Sequence, residues 1–295
     1  MRRIALYGVA GLAAVAAAGL FVTRAVPVDA AVFDGVQGDA ARGEQVFIAA
    51  GCASCHSAPE AEGEDKLVLA GGQAFPSDFG TFIAPNISPH EEAGIGDWTL
   101  AQFASAVQRG VSPDGAHYYP AFPYASYVRM TDQDVTDLWA YFQTLPADAT
   151  PSAAHDVGFP FNIRRALGGW KFLYFNDDWV MADAATPELE RGRYLVEALG
   201  HCGECHTPRT ALGGLDTAAW LSGAPNPTGK GRIPSLAPAD FDWSATDIAY
   251  YLETGFTPEF DSVGGHMTAV VDNFAQLPAS DRLAVAAYIK ALASE

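Results

Sequence analysis

Apolar side chains recur at helical spacing over most of the chain, and they do so twice in the same order. One stretch carries Gly43, Val46 and Phe47 on a common face, and a later one carries Gly192, Tyr194 and Leu195. Asp39 is placed to cap the first of these helices, and Thr186-Pro187 to start the second. A second helix opens at Asp97-Trp98-Thr99 and runs to about Arg109. Its counterpart opens at Asp242-Trp243-Ser244 and runs to about Glu253. Gly110 and Gly255 end them, as glycine does at helix C-termini. A last amphipathic helix spans about Thr131 to Thr144, with Val135, Leu138, Trp139 and Phe142 on one face. Its counterpart spans about Ala279 to Ala293, with Leu283, Ala287, Tyr288 and Leu292. No alternating strand pattern stands out, so the expected class is all-α, built from two copies of one unit.

The N-terminus differs from the rest. Arg2 and Arg3 precede an uncharged run from Ile4 to Val22, and Arg24 and Pro27 close it. Nineteen such residues are just enough to span a bilayer, with the arginines on the cytoplasmic side. Residues 1–28 therefore read as an anchor or a cleavable export signal, Val28-Asp29-Ala30 being an acceptable cleavage site. Either way the remainder is expected on the periplasmic side. The net charge of the whole chain, −18, repels nucleic acid and would steer a basic protein toward it.

Four cysteines carry the chemistry. They stand as Cys52-Ala53-Ser54-Cys55-His56 and Cys202-Gly203-Glu204-Cys205-His206. In an exported chain disulfides are the default, but C-x-x-C-H is the attachment signature of c-type haem. Two thiols add to the porphyrin vinyl groups, and the adjacent histidine becomes the proximal iron ligand. Zinc would not require a histidine after both pairs, and a redox dithiol expects a strand before it. Both copies together imply two covalently attached haem c groups.

Each unit resembles a class I cytochrome c domain, and the whole chain resembles the two-haem cytochromes related to the cytochrome subunits of membrane-bound alcohol dehydrogenases. The closer resemblance rests on Asp114-Gly115-Ala116-His117-Tyr118-Tyr119-Pro120-Ala121-Phe122-Pro123-Tyr124 and on His201 to Arg209. It implies tandem domains over 29–150 and 186–295, joined by a connecting segment over 151–185. It also implies that Pro85 and Pro234, which follow the motif histidines by 29 and 28 residues, orient those histidines through their carbonyls. A methionine shortly before the last helix would close each iron. Met267 stands 12 residues after Gly255, where the family places it, but the residue 12 after Gly110 is Phe122. Met130 is the nearest methionine to that place, His117 the next candidate, and an open iron the third.

The connecting segment is rich in aromatics, among them Phe159, Phe161, Trp170, Phe172 and Trp179. It is expected to pack between the units, or else to serve as a docking strip. The resemblance implies an electron carrier between a dehydrogenase or other donor and an oxidase or soluble cytochrome. A two-haem redox enzyme of the peroxidase or sulfur-compound oxidase type, using an open first haem, is the alternative.

Overall fold

The structure, a computed structural model, describes residues 2–227 and 231–292. It is helix-rich, with few strands and no closed sheet among the described residues. The chain begins with α1 (Arg2–Val22). α2 (Ala40–Ala50) leads into the short α3 (Cys52–His56), and α4 (Leu100–Arg109), α5 (Tyr124–Tyr127) and α6 (Asp132–Phe142) follow. α7 (Ala166–Tyr174) lies in the connecting segment. The second half then holds α8 (Pro187–Arg193), α9 (Gly203–His206), α10 (Ala245–Thr254), α11 (Met267–Phe274) and α12 (Ala279–Ala291). The sequence reading carried the last helix to Ala293, which lies outside the described residues.

The helix starts follow local chemistry. Asp39 caps α2 by accepting from Ala41 and Arg42 N–H, and Thr186 caps α8 ahead of Pro187. Thr99 and Ser244 form capping boxes with Gln102 and Asp247. Each such cap is worth about 1 kcal/mol. Gly110 and Gly255 end α4 and α10 in the left-handed conformation.

Each half is built on a close crossing of its first and last helices. A Cβ at Gly43 would meet the Asp137 carbonyl oxygen at 2.0 Å, and one at Gly192 would meet that of Ala284 at 2.1 Å. Glycine is therefore what lets α2 touch α6 and α8 touch α12. An arginine one residue earlier locks each crossing. Arg42 grips Asp137 with two bonds of 2.7 and 2.8 Å, and Arg191 grips Asp281 with bonds of 2.9 and 2.6 Å.

The spacing between glycine and first cysteine is one residue longer in the second half. A π-helical turn over Tyr194–Leu199 takes up the extra residue. It carries Glu197 inward, where the carboxylate accepts from Val180 N–H, Met181 N–H and the Tyr288 hydroxyl at 2.6, 3.0 and 2.7 Å. Trp220 Nε1 in turn donates to the Tyr288 oxygen at 3.0 Å, so the buried carboxylate is fully partnered.

Three expectations need correction. The all-α reading missed two antiparallel ribbons, β1 (Ala74–Ser77) with β2 (Gly80–Ile83) and β3 (Ala224–Pro225) with β4 (Arg232–Ile233). Both lie in the Gly- and Pro-rich loops after the cysteine motifs, where the strands are too short for alternation to register. The buried face of α12 only partly matches the one expected, with Tyr288 buried as expected. Leu283 is exposed, whereas Ala284, Val285, Ala286, Tyr288 and Ile289 are buried, because α12 is held between α8 and α10. Finally, α7 lay unread among the aromatics of the connecting segment.

That segment is packed on one side and bare on the other. Trp170 donates to the Leu212 carbonyl in the second half at 3.1 Å, and its ring meets Tyr124 of the first edge-on. Arg129 reaches the Asp178 carbonyl, and Trp179 stacks edge-on with Tyr194. Phe159 and Phe172 stay exposed. α1 is joined to α7 where Gly168 abuts Thr23 and where Arg165 donates to the Leu20 carbonyl. Among the described residues, no helix is long and apolar enough to cross a membrane.

Candidate functional site

Both C-x-x-C-H motifs fold as a single helical turn, α3 and α9, which sets two thiols and a histidine on neighbouring positions. The four cysteines are unpaired. Burial pushes the Cys52 and Cys202 thiols up to about 12. Cys55 keeps solvent exposure by area, yet the atoms packed around its sulfur push it to about 11, and the Cys205 sulfur adds to the shift. A dithiol working as a redox nucleophile needs the opposite environment.

The histidines are clamped alike. His56 Nδ1 donates to the Pro85 carbonyl at 2.9 Å, and His206 Nδ1 donates to that of Pro234 at 2.9 Å. No hydrogen bond reaches Nε2 of either ring among the described residues, so that nitrogen is free to ligate. Burial holds both imidazoles below their ordinary range, against the raising effect of the proline carbonyls. A second contact completes each clamp. Gly71 N–H donates to the His56 carbonyl at 2.8 Å, and Gly223 N–H to that of His206 at 2.7 Å. Both glycines have positive φ, and a Cβ on Gly71 would meet the Pro85 oxygen at 2.6 Å. Neither glycine was singled out from the sequence, although each stands in a loop between a motif histidine and its proline.

The remaining candidates separate. Met267 opens α11, partly buried against the core. Met130 is buried in the core immediately before the Thr131 cap of α6. His117 is buried, and its Nε2 donates to the Thr23 carbonyl at 3.1 Å while Nδ1 has no partner. Burial, with Lys171, Arg165 and Arg164 nearby, holds its pKa below the ordinary range against the raising effect of the Thr23 bond.

The two motifs meet at one interface, each touched by the opposite half. Asn273 Nδ2 donates to Ser54 Oγ, between the first pair of cysteines, at 3.0 Å. Ser126 donates to Glu204, between the second pair, at 3.4 Å. The Tyr127 ring lies edge-on to His201 with centroids 5.6 Å apart, and its hydroxyl donates to the Ala50 carbonyl at 2.9 Å. A cavity of about 360 Å³ opens beside the second motif, lined by Ser126, Arg129, Trp170, Glu204, Arg209 and Trp220, among others.

The cytochrome c family model matches residues 40–146. A diheme cytochrome c-type protein of Cereibacter sphaeroides is 54% identical over 290 residues, covering 98% of both chains. The cytochrome subunit of fructose dehydrogenase from Gluconobacter japonicus is 38% identical over 277 residues, 91% of this chain and 56% of that one. The cytochrome c subunit of the quinone alcohol dehydrogenase of Gluconobacter oxydans is 34% identical over 265 residues, 85% of this chain and 54% of that one. The chain thus spans about half the length of these two dehydrogenase subunits, and nearly all of the first relative. By its attachment motif, its helical frame and these relatives, the chain belongs to the cytochrome c family, alongside diheme members and the cytochrome subunits of dehydrogenases.

Proposed function

We propose that this protein is a two-haem electron carrier built from tandem class I cytochrome c domains, about 29–150 and 186–295, and linked by the segment 151–185. Cys52 and Cys55 would attach the first haem and His56 would ligate its iron; Cys202, Cys205 and His206 would do the same for the second. Pro85 and Pro234 fix the two imidazoles through the Nδ1 bonds and raise their basicity. Met267 would ligate the second iron. Each haem supplies a one-electron change at its iron; the protein supplies ligands, burial and orientation.

The observation that carries this reading is the reciprocal contact between the motifs. Asn273 on Ser54 and Ser126 on Glu204 tie the two attachment turns into one interface. Trp170 and Trp179 brace it from the connecting segment. A carrier needs its two redox groups held at a fixed short separation, and an interface of this kind would hold them so.

Electrons enter from a dehydrogenase or another donor and leave toward an oxidase or a soluble cytochrome, on the periplasmic side. From the apolar run Ile4 to Val22 we infer that residues 1–28 meet the membrane as an anchor or export signal, with Arg2 and Arg3 on the cytoplasmic side. The exposed Phe159, Phe172 and Leu173 follow it on the connecting segment and would rest at the lipid surface. A redox enzyme using an open first iron is the second reading, which Phe122 favours. The carrier is preferred because His117, the imidazole of that loop, has its Nε2 already bound to the Thr23 carbonyl.

Stopped-flow mixing of the fully reduced protein with an oxidised, basic soluble cytochrome c tests the reading. Rapid oxidation of both haems is expected, with a rate that falls about 10-fold or more as salt screens the charge of −18. Failure to pass electrons, together with peroxide turnover, would favour the enzyme.

A further inference from the structure

We propose that the iron held at Cys52, Cys55 and His56 has no methionine on its far side and takes a small exogenous ligand beside Phe122, carbon monoxide in the reduced state. This rests on the haem attachment proposed above.

The two halves can be aligned through their own bonds. Tyr118 N–H donates to the Gly110 carbonyl at 2.8 Å, and Val263 N–H donates to that of Gly255 at 2.7 Å. The preceding residues make matching bridges, Val111 with His117 and Phe256 with Ser262. Four residues beyond these anchors stand Phe122 and Met267. Phe122 therefore holds the place of the ligating methionine, and a phenyl ring has no donor atom.

Met130 does not make up the loss. It is the residue just before the cap of α6, as Leu277 is just before the cap of α12. Met130 N–H donates to the Tyr127 carbonyl at 2.9 Å and Leu277 N–H to that of Phe274 at 3.2 Å. Both side chains are 4% exposed. Met130 thus occupies a leucine's place in the core, where a thioether fills volume as leucine does. The Gln108 side-chain amide fixes its backbone by donating to the Met130 carbonyl at 2.9 Å. The two extra residues of the second half fall after Met267, where α11 is longer than α5.

His117 is also engaged elsewhere. It aligns with Ser262, five residues before Met267; its Nε2 is held by Thr23 and its carbonyl accepts from Arg164 at 2.6 Å, so only its Nδ1 is without a partner. Phe122 instead joins an aromatic wall, edge-on to Tyr118, Tyr124 and Tyr127 with centroids 5.9 to 6.4 Å apart. Such a wall gives an apolar setting suited to an uncharged diatomic ligand.

The test is the optical spectrum of the reduced full-length protein before and after carbon monoxide, with haem counted by pyridine haemochrome. Two haems are expected, with about half the absorbance moving. Phe122→Met should abolish the movement and add the methionine-to-iron charge-transfer band in the oxidised protein. Met130→Leu should leave the carbon monoxide response unchanged. Two haems with an unmoved spectrum would overturn the proposal alone, as would a response that appears only in Met130→Leu. A chain with no haem at the first motif would overturn the attachment reading and this proposal together.

Discussion

Asn273 donates to Ser54 across 3.0 Å, so the second half holds the residue lying between the first pair of cysteines. Ser126 and Glu204 make the counterpart contact in the other direction at 3.4 Å. Removing both with Asn273→Ala and Ser126→Ala should cost about 1 kcal/mol for each bond lost. It should also slow electron exchange between the haems, because the interface would loosen. Thermal unfolding and flash-initiated internal electron transfer would both report it. An unchanged exchange rate would show that these contacts do not set the separation.

Gly71 is the tightest point of the first histidine clamp. Gly71→Ala would drive a methyl group into the Pro85 carbonyl, 2.6 Å away, in a backbone with φ of +72°. The carbonyl must retreat from His56 Nδ1, at a cost of about 1–3 kcal/mol. An imidazole that loses this partner is a weaker base and favours ferric iron less. One of two waves in a redox titration should therefore move upward and the other stay in place. Gly223→Ala should move the other wave.

Asp137 sets an acid limit on the first half. Its side chain is fully buried, and burial alone would raise its pKa. The Arg42 guanidinium, the Asp39 N–H and the Gln133 amide outweigh burial and hold the carboxyl below its ordinary range. A group lowered on folding stabilises the protein above its unfolded pKa of about 3.9 and loses that contribution as pH falls through the folded value. Asp137→Asn should cost about 1.5–3 kcal/mol at neutral pH, since hydrogen bonds to a charged group are lost. It should also flatten the decline in stability below about pH 4. Denaturant midpoints measured from pH 3 to 7 would test both.

The legible parts of the sequence were those with strong local chemistry. Asp39 and Thr186 cap where their side chains predict, helices open at the expected Asp97-Trp98-Thr99 and Asp242-Trp243-Ser244, and Gly110 and Gly255 end helices where glycine must. The ribbons at 74–83 and 224–233 were missed, because strands of two to four residues leave no period. The spacing puts Leu283 and Tyr288 on one face; Tyr288 is buried, but Leu283 is exposed, because α12 is packed on two sides by α8 and α10 and its buried face is wider and shifted. Gly71 and Gly223 carry a long-range contact that no local pattern announces. The mutual grip of Ser54, Asn273, Ser126 and Glu204 joins residues up to 219 positions apart, and only the folded chain brings them together.

The two motifs should hold two haems, and intact mass of the holoprotein, compared with Cys52→Ser/Cys55→Ser and Cys202→Ser/Cys205→Ser variants, tests that most directly. The expected result is a wild-type mass exceeding the polypeptide by two haem groups, with each paired variant retaining one. A wild-type chain carrying a single haem, or a paired variant that keeps both, would contradict it.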